Sequence, residues 1–588
     1  MIWRALACDY DGTLASEDRI GAEALAALRE ARAAGLRLIL VTGRTFFELL
    51  RVCEPVDLFD AVVAENGGVL YFPTIGVLRD HAPPPPSRLL AELDAQGIPF
   101  QAGRVIVGTW RAEEKRVRET LRALGVRMEI AHNRAAVMLL PPGISKGEGV
   151  RQAVRALGLA HHDVLALGDA ENDLDLFAAC GWTACPVNAV PELKDHADFI
   201  FPGADGSGVA RAITGPILGG LLPVARSSRH RLAIGWVAET AEPVEIPERG
   251  VNVLIQGDPL SGKSWLAGVL IERLLGRRYA VCVVDPEGDY QVLAPLPGVS
   301  WVETRSLQVW DRALERFDQD PAACVILDLS TLEQADKAAL IAAGIGLLRE
   351  RRRRAGPPHW VVLDEAHYWL GAAGIPDAVL GLEDKGFCLV TYCASRLRPS
   401  VLAAVDVFLL ARTAAAAQLD CLREVLARAP TDAADLAAVL PGLPLGEFLL
   451  LRTEPAGART RTFVAAPRMT SHVRHLRKYA DGRLPEPRRF FFRAPDGRLA
   501  ATAGSIGEFL QGVGVVGDEV LAFHAARGDF SRWLLEVFAD RELGRHLAKL
   551  EGRWSRREIT DLRGALERLL AAAVKRAGEA RRAMRRSG

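Results

Sequence analysis

The sequence has little that would tie it to a membrane, an oxidising compartment or a polyanion. Its nine cysteines form no Cys-x-x-Cys pair and no cluster with histidine at zinc spacing, which predicts reduced thiols in a cytosolic protein. No apolar run reaches the ~20 residues that span a bilayer, and Asp9 comes too early for a signal peptide. Basic and acidic residues balance at 73 each, so no overall basic field would attract nucleic acid.

Lysine is also scarce, since only nine of the 73 basic residues are lysine and the rest are arginine. Each lysine is therefore worth locating, because phosphate chemistry often needs a compact point charge. The composition is otherwise that of a globular protein, with 49% hydrophobic and 25% charged residues. The length of 588 residues predicts three or four domains at about 100–200 residues each.

The chain divides into regions with different patterns. Residues 1–213 alternate short apolar runs with helical spacing, which predicts a parallel α/β sheet, interrupted by a small α/β cap at about 83–143. Residues 214–230 are predicted to be a linker. The alternation returns over 231–468, which predicts a second α/β domain, and 469–588 are predicted to be mainly helical with a basic tail.

Chemically reactive side chains follow the predicted strands of the first region. Asp9 and Asp11 end one strand, Thr42 and Gly43 end the next, and Lys146 opens a later helix. Another strand end contributes Asp169, Asn172 and Asp173. Ligands bind at the carboxyl ends of strands in open α/β sheets, so these groups should meet. An attacking carboxylate, a second carboxylate for proton transfer, a hydroxyl, a lysine and an acidic Mg²⁺ site are what phosphoryl transfer through an aspartyl-phosphate requires.

These segments resemble the four motifs of the haloacid dehalogenase (HAD) superfamily, and the position of the insert resembles the Cof-type branch, class IIB. Glu65-Asn66-Gly67-Gly68 and the segment Val187–Lys194 are similar to secondary sequence features of that branch. The resemblance implies a HAD Rossmann-like sheet with a small cap and a small phosphorylated metabolite, especially a sugar phosphate, as substrate. It also implies the following roles: Asp9 as nucleophile, Asp11 as general acid and base, Thr42, Gly43, Lys146 and Asn172 as phosphate-binding residues, and Asp9, Asp11, Asp169 and Asp173 as the Mg²⁺ site.

A phosphate-binding loop begins the second α/β region. The segment Gly257–Ser264 matches G-x-x-x-x-G-K-[ST] between a predicted strand and a predicted helix, so its backbone amides would cradle the phosphates of ATP. Asp364 and Glu365 follow a later apolar strand, where the first would help to hold Mg²⁺ and the second would polarise the attacking water. We expect the strand Cys324–Leu327 to lie between the two motifs. The candidate nucleotide-binding residues are Gly257, Ser261, Gly262, Lys263, Ser264 and Asp364, with Ser264 and Asp364 as metal ligands.

Three further segments, Val284–Tyr290, Leu327–Ser330 and Ser395–Ser400, resemble the HerA/FtsK group of ATPases. The resemblance implies a RecA/ASCE-type P-loop α/β domain, ATP as substrate or ligand, and a homo-oligomeric ring that moves DNA or peptides. Two departures stand out, because the sensor position has only Thr391 or Ser395 and the only strands predicted ahead of the loop lie in Arg231–Pro247. Arg396 and Arg398 are either γ-phosphate sensors, intersubunit fingers or solvated loop arginines.

The residues together predict a bifunctional protein, a Mg²⁺-dependent phosphomonoester hydrolase fused to an ATP-binding and ATP-hydrolysing domain. Two alternatives stay open: a translocase of DNA or protein with a regulatory HAD domain, and a metabolic phosphatase regulated by nucleotide. Arg351–Arg354 could contact nucleic acid. The alternative is that they are the cations that stabilise a helix C-terminus. Nucleic acid could also stack on the aromatics of Arg488–Arg493, which otherwise form a packed edge strand.

Overall fold

The structure is a computed structural model that describes residues 3–133, 135–219, 228–426, 436–454, 457–470, 489–534 and 541–572. Both expected α/β sheets are present. Within the described ranges, no helix is long and apolar enough to cross a membrane. All nine cysteines are free thiols.

The first domain is built on an eight-stranded sheet with the order β14-β13-β12-β1-β4-β5-β6-β7. The strands from β14 to β5 are parallel, and β6 and β7 add an antiparallel edge. The strands are β1 Ala5–Asp9, β4 Arg37–Val41, β5 Ala61–Ala64, β6 Val69–Phe72, β7 Val77–Asp80, β12 Val164–Leu167, β13 Trp182–Pro186 and β14 Phe199–Phe201, with the small hairpin β2 Ala15–Ser16 and β3 Arg19–Ile20. The helices are α1 Ala22–Ala33, α2 Phe46–Val52, α5 Lys146–Ala156, α6 Leu174–Ala179, α7 Pro191–His196 and α8 Asp205–Ala212.

A four-stranded antiparallel sheet with two helices is inserted after β7. Its elements are α3 Ser87–Ala95, β8 Phe100–Ala102, β9 Val107–Trp110, α4 Glu114–Leu124, β10 Glu129–Asn133 and β11 Ala136–Leu140. Alternate residues of β11 face opposite sides, as in any strand. Val137 and Leu139 pack under the two cap helices, whereas Met138 and Leu140 join the core of the main domain. The face of the cap sheet opposite these helices therefore packs on the main domain.

The second α/β domain contains an eleven-stranded sheet in the order β16-β15-β25-β24-β23-β17-β22-β21-β18-β20-β19. The strands are β15 Arg231–Trp236, β16 Pro243–Pro247, β17 Val253–Gln256, β18 Val281–Asp285, β19 Val299–Glu303, β20 Cys324–Asp328, β21 Trp360–Leu363, β22 Phe387–Thr391, β23 Val407–Leu410, β24 Glu447–Glu454 and β25 Gly457–Ala465. The helices are α9 Lys263–Gly276, α10 Leu307–Leu314, α11 Arg316–Gln319, α12 Gln334–Ala355, α13 Asp377–Leu380, α14 Pro399–Ala403, α15 Ala416–Leu426 and α16 Leu436–Val439.

The sheet order corrects one expectation about the nucleotide-binding domain. The strand between β17, which leads into the phosphate-binding loop, and β21, which leads to Asp364, is β22 and not Cys324–Leu327. The latter segment is β20, on the far side of β18. Both strands are equally buried and apolar, so sequence order alone could not rank them across the sheet. The hairpin of β15 and β16 extends the same sheet through β25 and forms no separate barrel.

The described part of the C-terminal region combines one hairpin with a helical cluster. It consists of β26 Phe490–Arg493, β27 Leu499–Ala503, α17 Ile506–Val515, α18 Asp518–Ala526, α19 Asp529–Trp533 and α20 Arg541–Ser555. Phe490 and Phe492 are buried in its core against Phe509 and Phe530. These two aromatics are therefore core residues of a packed strand and not a stacking platform for bases. The basic tail after residue 572 lies outside the described residues.

The two α/β domains contact each other at the edge opposite the carboxyl ends of β1 and β12. The backbone carbonyl of Arg277, just after α9, accepts a hydrogen bond of 2.8 Å from Nε2 of His162. The His162 ring also stacks on Tyr279, with centroids 3.5 Å apart. Arg4, which precedes β1, donates from its guanidinium to the carbonyl of Arg352 near the end of α12 at 2.9 Å. Residues at the ends of α9 and α12 in the second domain thus contact residues that precede β12 and β1 in the first domain.

A buried histidine adds a charged contact between the domains. His230 lies 2.9 Å from the Asp198 carboxylate in the first domain and 3.2 Å from the Glu248 carboxylate in the second. Burial lowers the pKa of His230, but the hydrogen bonds to these carboxylates outweigh it and raise the pKa above its ordinary value. Nearby, Arg249 donates to the carbonyl of Gly181 at 2.8 Å.

Residues of the Arg351–Arg354 segment bind other parts of the protein. Arg351 pairs with Asp318, and the Arg352 guanidinium donates to the carbonyl of Lys385 and lies over the ring of Phe387. The carbonyls of Arg352 and Arg353 both accept from Arg4 of the first domain. The first two arginines are therefore unavailable to nucleic acid.

Candidate phosphotransfer and nucleotide sites

Three buried carboxylates converge at the carboxyl ends of β1 and β12. Oxygens of Asp9, Asp169 and Asp173 all lie within 4.8 Å of one another. Lys146, at the start of α5, reaches into the group, with Nζ 2.5 Å from Asp9 Oδ1 and 2.7 Å from Asp173 Oδ1. Thr13 donates its hydroxyl hydrogen to Asp169 at 2.9 Å. The sequence placed four of these five residues in one site, and the structure brings all five together.

The electrostatics of this cluster fit a divalent cation. Burial, and then the neighbouring Asp173 and Asp169 carboxylates, raise the pKa of Asp9 well above its usual value, although Lys146 acts in the opposite direction. Burial lowers the pKa of Lys146, but Asp173 and Asp9 raise it further, so the lysine stays charged. One lysine therefore does not balance three carboxylates in this buried position. Clustered carboxylate oxygens are the ligands that Mg²⁺ prefers, and the donor set suits that ion.

Asp11, which the resemblance also assigned to the Mg²⁺ site, is not part of the group of Asp9, Asp169 and Asp173, and its carboxylate is bound by an arginine. Arg44 donates from Nε to Asp11 at 2.9–3.0 Å and from Nη2 at 2.6 Å. The same guanidinium also contacts Asp18 and lies 3.3 Å from Glu48. The side chain of Asp11 is about one-third exposed (34%). A carboxylate that is partly exposed in this way can exchange protons with a bound ligand and with water.

Thr42, Gly43 and Asn172, which the resemblance assigns to phosphate binding, lie below the cap. The Thr42 hydroxyl accepts from the amide of Arg44 at 3.1 Å, and Asn172 donates to Asn66 Oδ1 at 3.3 Å. A β-carbon at Gly43 would lie 2.9 Å from the Met138 sulfur of the cap and 3.6 Å from Asn172. The cap thus lies directly over the Thr42–Gly43 segment, and only glycine leaves room for that approach.

We predict that Arg44→Lys lowers the kcat for phosphomonoester hydrolysis by about tenfold to a hundredfold with a smaller change in KM. A lysine ammonium cannot grip Asp11 through two nitrogens, so the acid–base carboxylate would lose its orientation. Steady-state kinetics would measure the effect. The control is Arg37→Lys, because Arg37 is an exposed arginine that pairs with Asp60 away from the site. An unchanged kcat in the Arg44 variant would show that Asp11 needs no such support.

The phosphate-binding loop connects β17 to α9. Gly262 has a φ of +100° and Leu260 a φ of +66°, which curls the loop back before the helix begins at Lys263. Lys263 Nζ donates to the carbonyl of Asp258 at 2.9 Å, and the lysine therefore lies along the loop. The Ser261 hydroxyl is buried and has no hydrogen-bond partner among the described residues. A helix N-terminus and a lysine facing one concave loop suit a phosphate chain.

Asp364 and Glu365 follow β21 in a tight turn. Asp364 Oδ1 accepts from the amide of Glu365 at 2.9 Å, and Glu365 itself is buried with a φ of +49°. This left-handed conformation in a non-glycine residue costs on the order of 1–3 kcal/mol and concentrates at functional sites. Nδ1 of His367 lies 3.0 Å from the Thr391 hydroxyl and 3.6 Å from Glu365 Oε2. Thr391, one of two sensor candidates, is thus connected to Glu365 through His367.

The two candidate finger arginines differ in their surroundings. The Arg398 guanidinium is bound inside the domain, to the carbonyls of Gly371 and Ile375 and to Asp377. Arg398 therefore holds residues 371–377 of its own domain and is not free to reach another subunit. Arg396 is exposed, so the finger or sensor role remains a prediction for Arg396 alone.

Sequence reasoning assigned no role to three residues that shape the first site. Arg44 follows Thr42 and Gly43 directly, but nothing local indicates that its partner is Asp11, 33 residues earlier. Thr13 follows Asp11 by two residues, and its hydroxyl donates to Asp169, which lies 156 residues later in the chain. Glu65 binds four backbone amides, which only the folded structure brings together.

Family models match the two α/β domains of the chain separately. The family model of haloacid dehalogenase-like hydrolases matches residues 6–83 and 106–213, and that of the helicase HerA central domain matches residues 261–431. A phosphoglycolate phosphatase of Methanothermobacter thermautotrophicus is 36% identical over 216 residues, which cover 36% of this chain and 97% of the relative. A second one, from Archaeoglobus fulgidus, is 28% identical over 36% of this chain and 95% of the relative. A solved haloacid dehalogenase-like hydrolase from B. subtilis is 19% identical with a TM-score of 0.32, covering 36% of this chain and 99% of its own.

The fold and the carboxylate site of the first domain are those of a capped α/β hydrolase. The chain belongs to the haloacid dehalogenase-like hydrolases through this domain, which spans nearly the whole length of the archaeal relatives. It carries in addition a HerA-like domain with a phosphate-binding loop.

Proposed function

We propose that the first domain hydrolyses a small phosphomonoester in a Mg²⁺-dependent reaction through a phosphorylated Asp9. The observation that carries the proposal is the buried group of Asp9, Asp169 and Asp173 around Lys146. An Asp9 oxygen attacks phosphorus, and Asp11 protonates the departing alkoxide and then takes a proton from water. Lys146 stabilises the charge of the phosphoryl group. A magnesium ion bound by the three aspartates would supply further positive charge for the approach of two anions.

Phosphoglycolate is the substrate that we propose to test first. The two named archaeal relatives are both phosphoglycolate phosphatases. The position of the cap favours a substrate with a small leaving group, because Met138 of the cap approaches Gly43 closely. A sugar phosphate, which the Cof-type resemblance favours, carries a ring that would need a wider opening at this point.

A substrate screen on the full chain tests the proposal. Phosphate release from phosphoglycolate, hexose phosphates and pentose phosphates would be compared with Mg²⁺ and with excess EDTA. We expect phosphoglycolate to have the highest kcat/KM and EDTA to remove the activity. Release that is equal in EDTA would contradict the metal requirement, and a preference for hexose phosphates would contradict the small leaving group.

We propose that the second domain binds and hydrolyses ATP with Lys263, Ser264 and Asp364 at the phosphates and Mg²⁺, and with Glu365 polarising the attacking water. The support is the loop geometry before α9 and the match to the HerA central domain. Mass measurement with and without ATP would reveal a homo-oligomeric ring. ATP hydrolysis that rises on addition of DNA would favour the translocase over the alternative below.

The domain contact favours a second candidate function, a phosphatase controlled by nucleotide. Helix α9 begins at Lys263 and is followed by Arg277, whose carbonyl binds His162. His162 lies two residues before β12, and that strand leads to Asp169 at the opposite end. A single helix and a single strand thus join the two sites, and packed elements of this kind can carry coupling if they adopt two arrangements.

We predict that a non-hydrolysable ATP analogue changes the kcat/KM of the phosphatase by about fivefold or more, and that His162→Ala abolishes this change. The variant loses the stacking on Tyr279 and the bond to Arg277 but lies outside both sites. Its basal phosphatase and ATPase rates serve as the control and should stay near those of the unaltered protein. Coupling is reciprocal, so phosphoglycolate should alter the affinity for the analogue by the same factor. If the analogue leaves the phosphatase unchanged in the unaltered protein, the candidate fails.

A further inference from the structure

A buried carboxylate joins the cap to the main domain next to the Thr42–Gly43 segment. Glu65 lies at the end of β5 and is fully buried. Its Oε1 accepts from the amides of Phe46 at 3.1 Å and Arg104 at 2.9 Å, and its Oε2 accepts from Val105 at 2.8 Å and Ile106 at 3.2 Å. Phe46 begins α2 of the main domain, whereas the other three amides precede β9 of the cap. One side chain therefore bridges the two parts with four hydrogen bonds.

The turn that carries Glu65 also contacts every phosphate-binding segment. Its amide donates to the carbonyl of Arg44, and the amide of Asn66 donates to the carbonyl of Thr42, each at 3.0 Å. Asn66 accepts from Asn172 through its side chain. Gly67 packs so closely on the residue before Lys146 that a β-carbon would lie 2.0 Å from the Ser145 carbonyl. Glu65 and Asn66 both have a φ of +53°, a conformation that non-glycine residues keep only when their surroundings hold them.

We propose that Glu65 is a positioning residue that holds the cap closed over the Thr42–Gly43 segment and so restricts the site to small leaving groups. The proposal deepens the phosphatase function and rests on it. The Glu65 hydrogen bonds fasten cap residues 104–106 to the main domain. The Met138 contact over Gly43 depends on that closed position.

The chemistry of the contact requires a carboxylate. Four amide donors need four acceptor sites, which two ionised oxygens provide. Glutamine would present an NH₂ group to two of the amides and leave them unsatisfied in a buried place, at a substantial cost. Gly103 is part of the same fit, because a β-carbon there would lie 2.5 Å from the Glu65 carboxylate.

The test combines amide exchange with kinetics on the full chain carrying Glu65→Gln. Hydrogen–deuterium exchange, read by mass spectrometry on peptides covering Phe46 and Arg104–Ile106, should be at least tenfold faster in the variant. The kcat/KM for phosphoglycolate should fall at least tenfold, while that for a bulky probe, p-nitrophenyl phosphate, should hold or rise. The matched control is Glu119→Gln, an exposed glutamate on cap helix α4. Glu65→Asp, which keeps the charge, should give exchange rates and kcat/KM values between those of Glu65→Gln and those of Glu119→Gln.

The outcomes separate this proposal from the phosphatase function. Exchange does not depend on activity, so unchanged exchange at these four amides overturns the bridging role even if the enzyme is active. Faster exchange with the same ratio of kcat/KM for the two substrates overturns the positioning role. If Glu65→Gln does not fold, Gly103→Ala, which displaces the carboxylate, replaces it with the same expected ratios and the same overturning results. An unaltered protein that hydrolyses neither substrate refutes the proposed function and, with it, the positioning role.

Discussion

Replacing Asp9 by asparagine should lower the kcat for phosphomonoester hydrolysis by at least about a thousandfold. The amide oxygen is a poor nucleophile, and no other carboxylate in the cluster has the same place at the end of β1 opposite Lys146. The measurement is phosphate release from the substrate that the screen identifies, with Mg²⁺ present. Acid-stable incorporation of labelled phosphate should be absent, because no aspartyl-phosphate can form at position 9.

The stability of the Asp9→Asn variant distinguishes lost chemistry from lost structure. Burial and the repulsion from Asp173 raise the pKa of Asp9, which means that its ionised form is disfavoured in the folded protein. Removal of that charge should therefore leave the thermal unfolding temperature in metal-free buffer unchanged or higher. Activity within tenfold of the unaltered protein would show that Asp9 is not the nucleophile.

Replacing Lys263 by alanine should reduce ATP hydrolysis by about a hundredfold to a thousandfold and weaken ATP binding. Lys263 is the first residue of α9 and lies along the loop that would surround the phosphates, with its ammonium 2.9 Å from the Asp258 carbonyl. Without it, the loop keeps its backbone amides but loses the point charge for the terminal phosphates. Titration with a fluorescent ATP analogue and a phosphate-release assay would measure the two effects.

The two variants are controls for each other. Asp9→Asn should keep the ATPase rate, and Lys263→Ala should keep the basal phosphatase rate measured without nucleotide. Loss of both activities in either variant would indicate unfolding of the chain rather than a local effect. Unchanged ATP affinity in the Lys263 variant would show that the loop is not a nucleotide site.

Much of both sites could be predicted from sequence because their residues lie at element ends with local chemical meaning. Asp9 ends a strand, Thr42 and Asp169 come shortly after strands, and Lys146 begins a helix, while parallel strands bring their carboxyl ends together. The loop from Gly257 to Ser264 is continuous in the chain, so its match needs no tertiary contact. The prediction of two α/β sheets followed from alternation of apolar runs and helical spacing.

Contacts between distant segments could not be predicted in this way. The pairing of Arg44 with Asp11 and the four amides around Glu65 depend on how strands and cap lie against each other. The position of β22 between β17 and β21 depended on sheet order, since the competing strand β20 is equally apolar. Arg352 and Phe492 were open to nucleic acid by sequence, but the Arg352 guanidinium binds the carbonyl of Lys385 in its own domain and Phe492 is buried in a core.

The sequence by itself determined the two kinds of chemistry, because carboxylates, lysines and a glycine-rich loop at strand ends have few other uses in combination. Tertiary structure alone decided how those groups are held and confined. It placed Asp11 under Arg44, closed the cap through Glu65, and set the ends of α9 and α12 against the starts of β12 and β1. Each of these contacts joins residues that are far apart in the chain, where no local pattern records a partner.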